Sequence, residues 1–306
     1  MKTLFKAGAI AATLLVSANA VSGNLFLGLS DNSYDAGRFL GTADANTTTG
    51  VFTEFGFSQL LATSVYDIDA MGNLTGGIVD TNIASDLATF GIPAAGTSLD
   101  GSTAISLVTP NCGAGQCDID ALSPLSPPLT GDSEGFLQTW DLQVEYHLVA
   151  TLTGTGPVYT GGYIDFFFND FNNDANDRQI LRAEVTGSSI TAANLDIFFD
   201  VTFAEAGFLF VEDNFGNMQD AADLAAMAVA NGNSNFAKFA LDTNVNPPIP
   251  TGAGLLAVTG TDGVTRAIRQ TTLDGSITAT VVPEPSTLAL LGLSLIGFGV
   301  ASRRRK

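Results

Sequence analysis

The stretch Trp140-Asp-Leu-Gln-Val-Glu-Tyr-His-Leu-Val-Ala150 decides the fold class. Trp140, Leu142, Val144, Tyr146, Leu148 and Ala150 fall on one side, and Asp141, Gln143, Glu145 and His147 on the other. Side chains of an extended chain alternate with period two, so this is a long antiparallel strand with one face in a core and the other in water. Similar β-rich runs occupy residues 51–60, 62–68, 105–108, 159–168, 180–185, 195–203, 208–211, 255–258 and 276–282. Turns rich in Gly, Asn and Asp separate them, as in Gly154-Thr-Gly156-Pro157 and at 169–177.

Many short strands and few helices predict an all-β body, an antiparallel β-sandwich or jelly-roll with one or two short helices. One helix is expected at 219–230, where Asp220 and Asp223 suit the first turn and Gly232 can end it. A second, shorter one is expected at 235–241. Pro247, Pro248 and Pro250 mark an extended connection, and Pro124, Pro127 and Pro128 a loop before Gly131. No repeat of 20–50 residues is present, which argues against solenoids and propellers.

Both ends of the chain differ from this body. Lys2 and Lys6 form a positive start, 7–17 an apolar run, and Ala18-Asn19-Ala20 a small-x-small cleavage site, so residues 1–20 read as a removed signal peptide. At the other end Pro283-Glu284-Pro285-Ser286-Thr287 is an extended, proline-stiffened cue. The apolar run 288–301 follows, and Arg303, Arg304, Arg305 and Lys306 form a cationic stop. A helix over 286–302 would be about 25 Å long, enough for a thin bilayer. The chain therefore divides into a signal peptide (1–20), an exported body (21–282) and a sorting and anchor segment (283–306).

The final segment resembles the PEP-CTERM sorting signal of exported bacterial proteins, in which Pro-Glu-Pro, a membrane helix and a basic end are processed by an exosortase. The resemblance covers 25 of 306 residues. It implies a transient membrane anchor cut near Pro283, export through the inner membrane, and a final place at the cell surface or in the extracellular matrix beside exopolysaccharide. An ordinary tail anchor that happens to contain Pro-Glu-Pro is the alternative.

A second resemblance lies in the body. Phe52-Thr-Glu-Phe-Gly56, the strand Val144-Glu-Tyr-His-Leu-Val-Ala150 with Gly154-Thr-Gly156, then Ile164-Asp-Phe-Phe-Phe168 and Ile180-Leu-Arg-Ala-Glu-Val-Thr-Gly187 are similar in order to flocculation-associated PEP-CTERM proteins. That implies cohesion of cells in flocs or biofilm. The loop between Cys112 and Cys117 and the proline-rich stretch after it have no counterpart in this pattern.

Charge narrows the partners. Six of the 12 Lys and Arg lie in the removed ends but only Glu284 of the 31 acids does, leaving 30 acids against six cations in the body. Nucleic-acid binding is excluded, because phosphate contact needs clustered cations. Metal cations or a cationic partner suit such a surface, as does plain solvation. In Asn-Cys112-Gly-Ala-Gly-Gln-Cys117-Asp the glycines permit a tight reversal, and in an exported chain a Cys112–Cys117 disulfide is expected.

Signs of catalysis are sparse. His147, the one histidine, falls on the polar face of its strand. Gly131-Asp-Ser133-Glu-Gly135 matches Gly-x-Ser-x-Gly, but prolines precede it and a strand follows, the wrong context for a nucleophile elbow. No carboxylate pair stands out for glycoside hydrolysis. The chemical candidate is the loop at 169–177, where Asp170, Asn172, Asp174 and Asn176 place oxygens at alternate positions that can converge on Ca²⁺, with help from Asp165 or Glu184. It departs from an EF-hand, with Ala175 at the glycine position and Leu181 at the final glutamate. The competing reading is an Asx-rich turn.

Three classes follow. A non-enzymatic matrix protein needs no catalytic set and no cofactor beyond Ca²⁺. A carbohydrate-binding module needs exposed aromatics, for which Tyr159, Tyr163, Phe167 and Phe171 are candidates. A secreted hydrolase needs acids converging in a cleft. Apolar strands such as 197–203 also offer edges for aggregation, which net charge opposes.

Overall fold

The computed structural model describes residues 23–30, 33–35, 46–92, 122–125, 129, 132–191, 194–213, 215–230, 237–244 and 255–281. The strands are β1 (Leu25–Leu27), β2 (Glu54–Ile68), β3 (Leu74–Thr81), β4 (Leu122–Leu125), β5 (Trp140–Thr153), β6 (Gly156–Asp170), β7 (Arg178–Thr191), β8 (Asn194–Ala204), β9 (Leu209–Glu212), β10 (Met218–Asp220), β11 (Ala237–Asn244), β12 (Leu256–Thr259) and β13 (Thr265–Val281). Among the described residues the α-helices are α1 (Ala84–Thr89) and α2 (Ala221–Ala230), with a 3-10 turn at Asp174–Asn176.

The main sheet closes on itself. Its neighbours run β2, β3, β5, β6, β7, β8, β11 and β13, every pair antiparallel, and β13 pairs back onto β2 from Arg266↔Asp67 to Thr278↔Glu54. An even number of alternating strands lets first and last meet antiparallel, so eight strands make an up-and-down barrel with no free edge of its own. β4 pairs with the start of β2 on the edge that β3 uses further along, and β12 with the start of β13 on the edge that β11 uses further along. The expectation of a sandwich or jelly-roll thus gives way to a barrel. The reason is β13, which runs 17 residues in place of the short strand expected at 276–282, long enough to pair with β11 and β2 together.

Packing fills the interior. The Phe55 ring (β2) lies 5.6 Å from that of Phe166 (β6), which lies 5.9 Å from that of Phe239 (β11). None of these strands adjoins another in the ring, so the contacts cross the barrel and the lumen is a core, as eight strands permit. The expected face of β5, from Trp140 to Ala150, is buried within this core.

One end is capped. β1, β9 and β10 form a three-stranded sheet, and their Leu25, Leu27, Leu209 and Val211 join the main core together with Leu224, Ala225 and Ala228 of α2. Trp140 closes this end, stacked on Phe168 at 5.3 Å with its indole N–H donated to the Glu134 carbonyl at 2.7 Å. At the opposite end lie the β2–β3 turn with Met71 and the β5–β6 hairpin. These are called the Trp140 end and the Met71 end. Outside the ring, α1 packs Leu87 with Ile92 against Val65, Val258 and Ile268.

Three further expectations change. Pro124, expected in a loop, lies in β4 opposite Phe55 on the edge of β2. The helix expected at 235–241 is replaced by strand, since β11 covers Ala237–Asn244 and places Phe239 opposite Phe199 and Leu241 opposite Ile197. Helix formers yield here to non-local apolar pairing. At 219–230 the helix begins only at Ala221, since Gln219 and Asp220 belong to β10, and the Asp220 carboxylate accepts the Ala222 N–H at 2.9 Å as a cap.

Candidate functional site

The barrel interior changes character along its axis. Its Trp140 half is aromatic, with Phe52, Phe55, Trp140, Phe166, Phe168, Phe208 and Phe239. Toward the Met71 end the same inward alternation brings in Ser64 and Tyr66 of β2, Asp80 of β3, Tyr146 of β5 and Tyr159 of β6, with Arg269 of β13 opposite Ser64. Asp80 is at the centre. One carboxylate oxygen accepts the Ser64 hydroxyl and the other accepts the Tyr159 hydroxyl. Burial pushes the Asp80 carboxyl up, against the pull of Ser64, Tyr159 and Arg269. Burial and the nearby Asp80 charge also hold Tyr66 and Tyr146 protonated to higher pH. The Tyr146 hydroxyl finds no hydrogen-bond partner among the described residues.

The outside of the same strands carries two polar rows. One runs Glu145, Asp165, Arg182, Phe203 across β5 to β8, the other Thr81, His147, Tyr163, Glu184, Asp200, Lys238 across β3 to β11. Arg182 grips Asp165 with two hydrogen bonds, 2.7 and 2.5 Å, and lies 4.3 Å over the Tyr163 ring. His147 stacks on the other side of the register against Tyr163, centroids 5.9 Å apart. Its Nδ1 meets Asp86 of α1 at 2.6 Å, and the Thr81 hydroxyl donates to the same Asp86 oxygen at 2.8 Å. That bond from Asp86 raises the imidazole, more than burial lowers it. Glu145 is pushed up by burial and then by the charges of Asp165 and Asp86, with Arg182 pulling the other way.

The residues expected at the calcium loop are brought together, but around their own backbone. Asp170 accepts the Asn172 N–H at 2.9 Å and the Asn176 side-chain amide at 2.7 Å, while Asp177 accepts the Asp170 N–H at 2.6 Å. Asn173 receives the Ala175 N–H, and Asp174 opens the 3-10 turn. Burial would raise Asp170, yet these bonds with Tyr34 hold it below the usual range. No group of three His, Cys, Asp or Glu among the described residues is placed to hold a metal. The helpers Asp165 and Glu184 lie on the outer rows instead.

The aromatic candidates do not share a face. Tyr159 points inward and is buried, Phe167 is buried, Tyr163 lies beneath Arg182, and only Phe171 is exposed. Ser133 sits in a turn leading to β5, with Glu134 at φ 49° and Gly135 at φ 77°. Such a turn is unlike a strand-to-helix elbow. Ala18, Ala20, Cys112, Cys117, Pro283 to Pro285, Arg303 to Arg305 and Lys306 lie outside the described residues, as does the expected membrane helix. Among the described residues no helix is long and apolar enough to cross a membrane.

Sequence reasoning missed Asp80 and Asp86. Asp80 lies in β3, whose Gly76-Gly77 pair weakens the strand pattern, and Asp86 in a six-residue helix too short for a period. Tyr146 is legible only as core, since it shares the apolar face of its strand.

The PEP-CTERM protein-sorting motif matches residues 281–306. The chain is thus an exported, exosortase-sorted protein of the PEP-CTERM type, and exosortase is its processing partner. No curated protein and no solved structure matches it.

Proposed function

We propose that this protein is a surface or extracellular-matrix component that associates with exopolysaccharide and supports flocculation or biofilm cohesion without catalysis. The observation that carries the reading is the sorting motif set directly behind the barrel's closing strand, which marks the barrel as the exported cargo. Exposed Glu184 beside Tyr163 supports it, since a carboxylate next to a planar ring suits hydroxyl-rich or cationic glycans. A Ca²⁺ ion at Asp170, Asn172, Asp174 and Asn176 would fit the same setting, as a bridge to anionic glycan.

Glycan hydrolysis is the alternative, favoured by one feature. Burial raises the Glu145 carboxyl, which stands directly across from Asp165, and a carboxyl held protonated is what the general acid of glycoside hydrolysis needs.

The test is the settling rate of cells lacking the chain, complemented by the intact chain or by one with Pro283, Glu284 and Pro285 replaced. Settling restored only by the intact chain is expected. Equal settling in all strains removes the flocculation reading, and release of reducing ends by purified protein would favour hydrolysis.

A further inference from the structure

Both ends of the described body meet at one corner. The Gly23 N–H donates to the Ala279 carbonyl at 3.1 Å, and Val281, the last residue of β13, pairs with Ala237 at the Trp140 end. The chain therefore enters and leaves the barrel beside itself. A chain spans at most about 3.6 Å per residue, so Leu288, where the C-terminal apolar run begins, lies within about 25 Å of Val281. By the same limit the N-terminal apolar run, ending at Ser17, lies within about 22 Å of Gly23.

The same corner carries an exposed aromatic. Glu212 accepts the Asn24 N–H at 3.2 Å and donates its own N–H to the Asn24 carbonyl at 2.8 Å. The β9–β10 turn starts with the next residue. There Asp213 accepts the N–H groups of Phe215 and Asn217, and Gly216 at φ 83° completes the reversal. Phe215 at its tip is 79 % exposed. The β2–β3 turn repeats the same design at the other end of the barrel: Asp69 accepts from Met71 and Asn73, Gly72 has φ 81°, and Met71 is 83 % exposed. Strands of 14 and 15 residues, such as β5 and β6, tilted as in a barrel, separate the two ends by about 35 Å.

We propose that the Trp140 end is the membrane-facing end of the tethered precursor, with Phe215 dipping into the lipid–water interface and the Met71 end held away from it. The occupant is the bilayer surface itself. An exposed Phe buries its ring at the headgroup–acyl boundary, as the apolar faces of interfacial elements do, and an excess of 24 acids over cations in the body, 30 against six, disfavours attraction to anionic headgroups. Cleavage at the two ends then frees one and the same face. The inference rests on residues 283–306 acting as a membrane anchor.

The experiment uses the full chain with both ends, reconstituted in phosphatidylcholine vesicles with brominated acyl chains. Phe215→Trp and Met71→Trp are compared, two exposed sites in the same turn chemistry, while the fully buried Trp140 serves as internal reference. The expected result is flotation of both variants, with blue-shifted and bromine-quenched emission from Phe215→Trp alone. Flotation with quenching of neither variant, of both equally, or of Met71→Trp alone overturns the inference and leaves the anchor standing. Failure of the full chain to float overturns both.

Discussion

His147 Nδ1 and Asp86 Oδ2 lie 2.6 Å apart, joining the barrel wall to the helix packed outside it. The imidazole is raised by that bond, so its proton stabilises the folded state fully below the unfolded value of about 6.5 and less as pH rises through the folded value. Melting temperature should fall as pH rises above about 6.5, and His147→Gln should abolish that slope. With one histidine in the chain, proton NMR reads the titration directly, and Asp86→Asn should move its midpoint down. An unchanged midpoint would show that the contact does not hold the proton.

Asp80 titrates with the same sign from a lower starting pH. Its carboxyl is raised by burial, so the folded state takes up a proton that the unfolded chain has released, and stability declines from about pH 4 through the folded value. Asp80→Asn keeps an acceptor for one hydroxyl and removes the buried charge. Urea unfolding at pH 4 and pH 8 should show a smaller difference for this variant than for the parent. A difference as large as the parent's would place the titration elsewhere.

Two tyrosines one strand apart make a matched pair. Tyr159→Phe removes a donor from buried Asp80 and should cost about 1–3 kcal/mol. Tyr146→Phe removes a buried hydroxyl that meets no partner among the described residues, and should be within about 0.5 kcal/mol of neutral or stabilising. Denaturant midpoints measure both, and Tyr159→Phe should unfold at lower denaturant than Tyr146→Phe. A loss at Tyr146 equal to that at Tyr159 would refute it.

Asp170 tests the two readings of the polar loop. Asp170→Ala strips the acceptor for Asn172 N and the Asn176 amide and should destabilise by about 1–3 kcal/mol without added metal. Millimolar Ca²⁺ that raises the melting temperature of the parent and not of Asp170→Asn would establish the cation reading. Equal melting in Ca²⁺ and EDTA would leave the hydrogen-bonded turn as its whole role.

Strands with regular alternation are legible from the order of their side chains alone. β5, β6 and β8 lie where that alternation puts them, with Trp140 to Ala150 facing inward as expected. Closure is not legible in this way. The first half of β13 contains Arg266, Arg269, Gln270 and Thr271, a weak apolar pattern, and it is a strand because β2 supplies the partner. The interior polar cluster is hidden for a related reason. Tyr66, Asp80, Tyr146 and Tyr159 come from four strands, and only the ring of registers brings them to one level.

Closure by the last strand also sets the timing of folding. Glu54 pairs with Thr278, 224 positions later, so the wall remains open until nearly all of the body has emerged. Contacts that distant form slowly. Until they form, β2 and β13 present bare backbone edges to any neighbouring chain.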